Sequence, residues 1–444
     1  MALIYQSFGR VVPPTDRAIP AAEAIVRLQT GEAGDKSLAA FGNGRSYGDS
    51  CHSQTGTLVD MRTMNRILDF DPATGLLKAE AGVLLSDIID HVVPHGWFPA
   101  VVPGTRFVTL GGMIANDIHG KNHHRRGSFG CHVAGFTLLR SDGAVRNCSR
   151  EANNDLFAAT IGGLGLTGLI LTATIRLMKV GAADVVEQIE PFDRIEDYFD
   201  RAEEADEKNE YAVAWIDQLA GGRGLLLTAN HADEGGTAVR AGTRLGVPFQ
   251  PPVNLLSRPF LRAFNMAYFH GKGRSAAPRR SGYQGFFFPL DGVANWNRLY
   301  GPRGLLQHQS IIPFETAQDA VPELLAAATR SGHGSFLTVL KRFGEMASPG
   351  LLSFPRPGYT LTLDFPNAGE ATLSLLDTLD RITIEAGGGV NAYKDARMPP
   401  DTFAPSYPRW AELEALRDPA FMTDFWRRTA MRLRSGIPNL QAAQ

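Results

Sequence analysis

The 444-residue sequence predicts an α+β chain of two domains, and three observations carry that reading. Three glycine-rich loops fall within the first 170 residues, separated by strand-like runs. After about Val180 the texture changes to aromatic-rich strands interleaved with amphipathic helices. From Gly389 the chain carries a short motif, YKDARM, and then a helical tail.

In the first part, LVDM, LLKAEAGV, FTLLRS and LILTATIRL read as short strands, and LLSDIIDHVVPHG repeats its apolar residues at helical spacing. DGAVRN, from Asp142, predicts a hairpin turn. DLFAATIGG predicts a short helix, with Asn153, Asn154 or Asp155 as its N-cap. In the second part, YAVAWID, GLLLTA, QGFFFPL, QHQSIIP and YTLTLDFP read as strands, and AVPELLAAATRSG as a helix. That pattern predicts an antiparallel sheet covered by helices.

The first glycine loop, FGNGRSYGDS (Phe41 to Ser50), carries Gly42, Gly44 and Gly48 among small polar residues. Such a run lets several backbone N–H groups converge on one anion. The second loop spans Pro103 to Gly130 and the third Ala159 to Ile170. Three such loops suggest one long ligand crossed by several turns. The third contains a literal G-x-G-x-x-G at Gly163, Gly165 and Gly168, but a helix precedes it and a strand follows. A dinucleotide-binding Rossmann unit needs the reverse order, so that reading fails.

With 44 basic and 46 acidic residues, the chain has no global field to draw it to nucleic acid. Cys51, Cys131 and Cys148 are odd in number and lack a C-x-x-C spacing, against a disulfide scaffold or zinc ribbon. The start, MALIYQSFGR, lacks the apolar core of a signal peptide, so a cytoplasmic location is expected. Residues 248–280 are rich in Pro, Phe and Leu, then basic at Lys272, Arg274, Arg279 and Arg280. Two readings stand: a long loop without regular structure, or a lid meeting an anionic lipid headgroup, which would add a peripheral membrane contact.

The motifs GRSYGD, DIHGKNHH, GSFG, GGLGLTG, WNRLYGP, LQHQ, SFPRPGYTLTLDFP and YKDAR follow one another along nearly the whole chain. Together they resemble the vanillyl-alcohol-oxidase family of flavoproteins, and within it a branch acting on a polyprenyl-phosphate sugar. The resemblance implies an FAD-binding α+β domain at 1–179, an antiparallel-sheet substrate (cap) domain at 180–388, and a 389–444 segment returning to the FAD-binding domain. It implies cofactor contacts from Gly42, Asn43, Gly44, Arg45, Ser46, Tyr47, Gly48, Gly104, Thr105, Gly111, Gly112, Asn116, Asp117, His119, Gly120, Asn122, His123, Gly165, Gly168 and Ile170. Substrate contacts are expected from Tyr300, Gln307, Gln309, Lys341, Phe343, Thr362 and Asn391, and catalytic roles from Lys394, His119 and Tyr47.

Several members of this superfamily bond FAD covalently through a loop histidine, where this chain has Arg45. A guanidinium cannot form that bond, so non-covalent FAD is expected unless His119 or a cysteine substitutes. His119, His123 and His124 lie within six residues, yet Gly120 beside His119 argues for a loop rather than a ligand-bearing helix, and no metal is expected. Lys394 is placed to stabilise charge on the reduced cofactor or to hold the substrate hydroxyl. Two positions depart from the branch: Thr362 stands where a cysteine is found, and Asn391 where a tyrosine is usual. The implied activity is FAD-dependent oxidation of a secondary sugar hydroxyl to a ketone, with the 2′-OH of a decaprenylphosphoryl-ribose-type pentose as substrate. A partner short-chain reductase would then complete an epimerisation. The alternatives are an alditol- or aldonolactone-type oxidase using O2, a non-catalytic flavin-binding subunit, and a non-flavin nucleotide binder.

Overall fold

The computed structural model describes residues 4–32, 34, 36–234, 245–274 and 277–435. The first part of the chain builds two sheets. Ala18–Pro20, Thr57–Asp60 and Leu38–Phe41 form a small parallel sheet in that spatial order. The second sheet is antiparallel and is organised around the long strand Leu169–Lys179, which pairs with Leu76–Glu80, Val133–Leu139 and Trp97–Pro99. Ile67–Asp71 and Val145–Ser149 close its edges. The chain turns back between Leu139 and Val145 as the DGAVRN run predicts, with Gly143 at φ +77°. Helix Leu85–Val92 buries Leu85, Ile88, Ile89 and Val92, the i, i+3, i+4, i+7 set that its sequence spacing defines.

The second part is an eight-stranded sheet. Its order is Arg279–Ser281, Val185–Phe192, Gly224–His231, Tyr211–Ile216, Thr338–Phe343, Gly358–Pro366, Leu305–Ile312 and Gly389–Val390. Every neighbouring pair in it is antiparallel. Helices Ile195–Lys208, Phe314–Arg330 and Glu370–Glu385 bury Phe199, Leu324, Leu376 and Leu379 in the same core as Leu361 and Phe365 of the sheet. The arrangement is the α+β, two-layer class that the sequence predicts.

The tail turns back on the first part. Leu38 N–H donates to the Ala420 carbonyl and its own carbonyl accepts from Met422 N–H, around a bridge to Phe421, and Asp424 N–H donates to the His52 carbonyl. Arg428 pairs with Asp49 of the first glycine loop at 2.8 Å. That loop therefore rests on residues almost four hundred positions away.

Two local expectations are corrected. QGFFFPL is not a strand: Tyr283–Phe287 is a short helix whose Phe286 and Phe287 pack under Tyr211. A run of aromatic residues fits a buried helical turn as readily as a buried strand, and too few flanking residues settle the period. Residues 248–280 are not all irregular either, because Arg258–Lys272 is a fifteen-residue helix entered through Pro259 in its first turn.

Candidate active site

A cavity of about 840 Å³ runs between the glycine loops and the eight-stranded sheet. Gly42, Asn43, Gly44, Arg45, Ser46 and Tyr47 line one end with Gly104, Thr105, Gly111, Gly112, Asn116, Gly165, Gly168 and Ile170. The backbone N–H groups of Asn43, Gly44, Arg45 and Ser46 donate to no described protein group. Four successive free amides in a glycine turn (Gly44 has φ +59°) form a nest with a ready demand for an anion. A Cβ at Gly42 would collide with Thr109 Oγ1, so the turn closes only with glycine there. The N–H groups of Gly111 and Gly112 behave differently. They are taken by Ala81 O and Thr109 Oγ1, so these glycines give the cavity surface rather than donors.

Arg45 lies between the rings of Phe8 and Phe107, 5.5 Å from each centroid. Cys51 lines the cavity too, but burial pushes its thiol up to about 12, which removes it as a nucleophile at neutral pH. Gly48, Asp117, Asn122 and His123 stand behind the wall. A Cβ at Gly48 would strike the Asp395 carbonyl, so this glycine lets the tail approach the loop. Asp117, fully buried at φ +40°, accepts hydrogen bonds from Gly130 N–H and from the Ser348 and Ser353 hydroxyls. Asn122 donates to Ala100 O and Glu210, and His123 lies against Phe343 at 4.3 Å.

At the other end of the cavity, the sheet register assembles the polar groups. Gln307 lies opposite Asp364, Gln309 opposite Thr362, and Thr360 opposite Lys341. Alternation along each strand brings all six to one face. His119 sits against them. Lys341 Nζ lies 3.1 Å from His119 Nδ1, and the Gln309 amide nitrogen lies 2.9 Å from Nε2. Thr360 at 3.0 Å and Asn391 at 2.9 Å hold that amide from its other sides. Burial and the positive charge of Lys341 keep His119 well below the usual imidazole range, so the ring is neutral. Burial beside Lys121 and Lys394 lowers Lys341 itself to about 7.

Lys394 lines the cavity, half-buried, with Nζ 4.4 Å from the Tyr47 ring centroid. Burial lowers its pKa, and the Asp364 carboxylate opposes that shift. Burial raises Asp364 well above an ordinary aspartate, while Gln307 donates to it. Tyr300 and Phe343 stand one layer back: Tyr300 packs with Tyr47 and Trp296 with its hydroxyl unpartnered, and Phe343 backs His119 at 4.8 Å.

Asp364, in the YTLTLDFP run, joins the site although no local motif singles it out. The available signal was its i+2 spacing from Thr362, which places both on one strand face. Lys121 also lines the cavity, donating to the carbonyls of Phe286 and Phe287 and lowered by burial to about 8. Among the described residues no cluster of His, Cys, Asp and Glu is arranged to hold a metal.

Residues 21–149 match the model of an FAD binding domain. The chain is 35% identical, over 95% of its own length and 96% of the relative's, to decaprenylphosphoryl-β-D-ribose oxidase of Mycolicibacterium smegmatis. It is 34% identical over 79% of its length to an uncharacterised protein of Streptomyces coelicolor, covering all of that relative. L-gulonolactone oxidase of Mus musculus is 32% identical, but over only 32% of each chain. The free amides of the glycine loop, the long cavity and the end-to-end match agree on one cofactor, FAD. The chain belongs to the vanillyl-alcohol-oxidase family of FAD-dependent oxidoreductases, in the family of decaprenylphosphoryl-β-D-ribose oxidase.

Proposed function

We propose that this enzyme oxidises the 2′-hydroxyl of a polyprenyl-phosphate pentose to a ketone, the first half of an epimerisation that a short-chain reductase completes. The observation that carries the reading is the match through the substrate half of the chain, where Gln307, Gln309, Lys341, Thr362 and Lys394 meet in one cavity. The gulonolactone oxidase match stops at about a third of the chain, which speaks against an alditol or aldonolactone substrate. Lys394, in the cavity wall, speaks against a non-catalytic subunit.

In this reading the amides of Asn43 to Ser46 hold the cofactor's pyrophosphate. Bound FAD supplies the two-electron acceptor. The Lys394 ammonium donates a hydrogen bond to the sugar oxygen and stabilises its developing negative charge, and Lys341, lowered to about 7 in the same cavity, is the base that takes the hydroxyl proton. Asp364 keeps Lys394 charged in a site whose burial would otherwise neutralise it. His119, neutral and clamped by Lys341 and Gln309, offers a fixed polar edge to the sugar. Tyr47 forms the wall that keeps water from Lys394. The test is the visible spectrum of the purified protein under anaerobic conditions. A prenyl-phosphate pentose should bleach the oxidised flavin, and free alditols should leave it yellow. The reverse pattern would discard the lipid-sugar reading.

A further inference from the structure

The helix Arg258–Lys272 and the segment before it carry an unusual surface. Of the thirteen large apolar side chains exposed among the described residues, seven fall between Leu245 and Met266. Phe249 is 68% exposed, Val253 59%, Phe260 49% and Met266 53%. The two portions share one support. The Val247 and Pro248 carbonyls accept from Arg298, Leu255 N–H donates to Leu299 O, and Leu261 packs with Trp296, all within the turn Trp296–Tyr300.

The charge pattern is one-sided. From Leu245 to Leu290 there is no Asp or Glu, but Arg258, Arg262, Lys272, Arg274, Arg279 and Arg280 are present. The structure divides these cations. Arg279 and Arg280 are tied to Glu187 at 2.7 Å and Asp184 at 3.3 Å, so they are offset within the sheet. Arg262, Lys272 and Arg274 are exposed and enter no ion pair among the described residues.

A row of rings leads inward from this surface. Phe260, Phe264 and Tyr268 follow at i, i+4, i+8 with nearly parallel planes, 6.3 and 6.0 Å between centroids. Tyr268 then meets Trp215 at 4.9 Å. Tyr268, Trp215 and Lys272 line the cavity that holds Lys394 and Gln309. The exposed apolar face is therefore continuous with the site.

We propose that this face, from Phe249 along the Arg258–Lys272 helix, docks on an anionic lipid bilayer and opens the aromatic row toward it. Apolar side chains rimmed by unpaired cations and free of acids complement an anionic interface. The docking rests on the proposed function only for what it delivers, since bilayer binding needs no substrate.

The test uses FAD-loaded full-length protein and vesicles of phosphatidylcholine, alone or mixed equally with phosphatidylglycerol, in flotation assays. Wild type should float with the mixed vesicles at low salt, and less at high salt. Arg262→Gln with Arg274→Gln should weaken binding by about fivefold per charge removed. Phe249→Ser with Phe260→Ser should lose it by more than tenfold, with flavin content and turnover of a short-chain substrate unchanged, because neither residue lines the cavity. Wild type that ignores anionic vesicles at low salt overturns the proposal. So does self-association that the serine variants abolish without any vesicle binding, which would assign the face to a second copy of the chain.

Discussion

Replacing Lys394 by alanine separates holding the cofactor from performing the chemistry. The ammonium is half-buried in the cavity wall and 4.4 Å from the Tyr47 ring, and a bound substrate would cover it from water. Two unit charges ~4 Å apart at an effective dielectric of ~20 attract by ~4 kcal/mol. Removing one preorganised stabiliser of a developing oxyanion typically costs ~3–4 kcal/mol, about two to three decades in rate. The two figures agree, so flavin reduction in Lys394→Ala should slow several-hundredfold, on the order of that cost. FAD content should stay near wild type, because the free amides of the pyrophosphate loop belong to Asn43 to Ser46. The assay is anaerobic stopped-flow loss of oxidised-flavin absorbance on mixing with a prenyl-phosphate pentose. A yellow variant reduced at the wild-type rate would refute the catalytic role. A colourless variant would move Lys394 into the cofactor site.

Asp364→Asn should shift the pH profile in a defined direction. The carboxylate raises the pKa of Lys394 against burial, so its loss lowers that pKa further, and the alkaline fall in activity should begin at lower pH than in wild type; an unchanged alkaline limb would show that Asp364 does not govern Lys394. Because Arg45 occupies the linking position and the Cys51 thiol is held protonated, acid precipitation should release FAD into the supernatant; flavin fluorescence retained by the denatured protein would contradict this. Gly42→Ala should purify depleted of FAD, since its Cβ would displace Thr109 and open the nest, and full flavin occupancy would show that the loop adapts.

Much of the cofactor half was legible in the sequence because its signals are local. Glycines that permit a nest, a helix whose apolar residues repeat at i, i+3, i+4, and a β-branched run such as LILTATIRL each act over a few residues. The order of helix and strand around Gly163 likewise excluded a Rossmann unit without reference to distant residues. Where local signals compete, tertiary packing decided: QGFFFPL folded as a helical turn under Tyr211, and the middle of 248–280 gained a helix by burying Leu261, Asn265 and Phe269. The charge state of the site was beyond the sequence altogether. Asp364 and Lys394 are thirty residues apart, and only the pairing of Leu305–Ile312 with Gly358–Pro366 brings Gln307 against Asp364. The neutral state of His119 depends on Lys341, more than two hundred residues away, and on burial that no local segment can supply. The sequence by itself determined which residue types were available and which loops could take up a cofactor. The tertiary structure decided which charges share one dry cavity, because Coulomb energies depend on distance and burial, and neither is written in residue order.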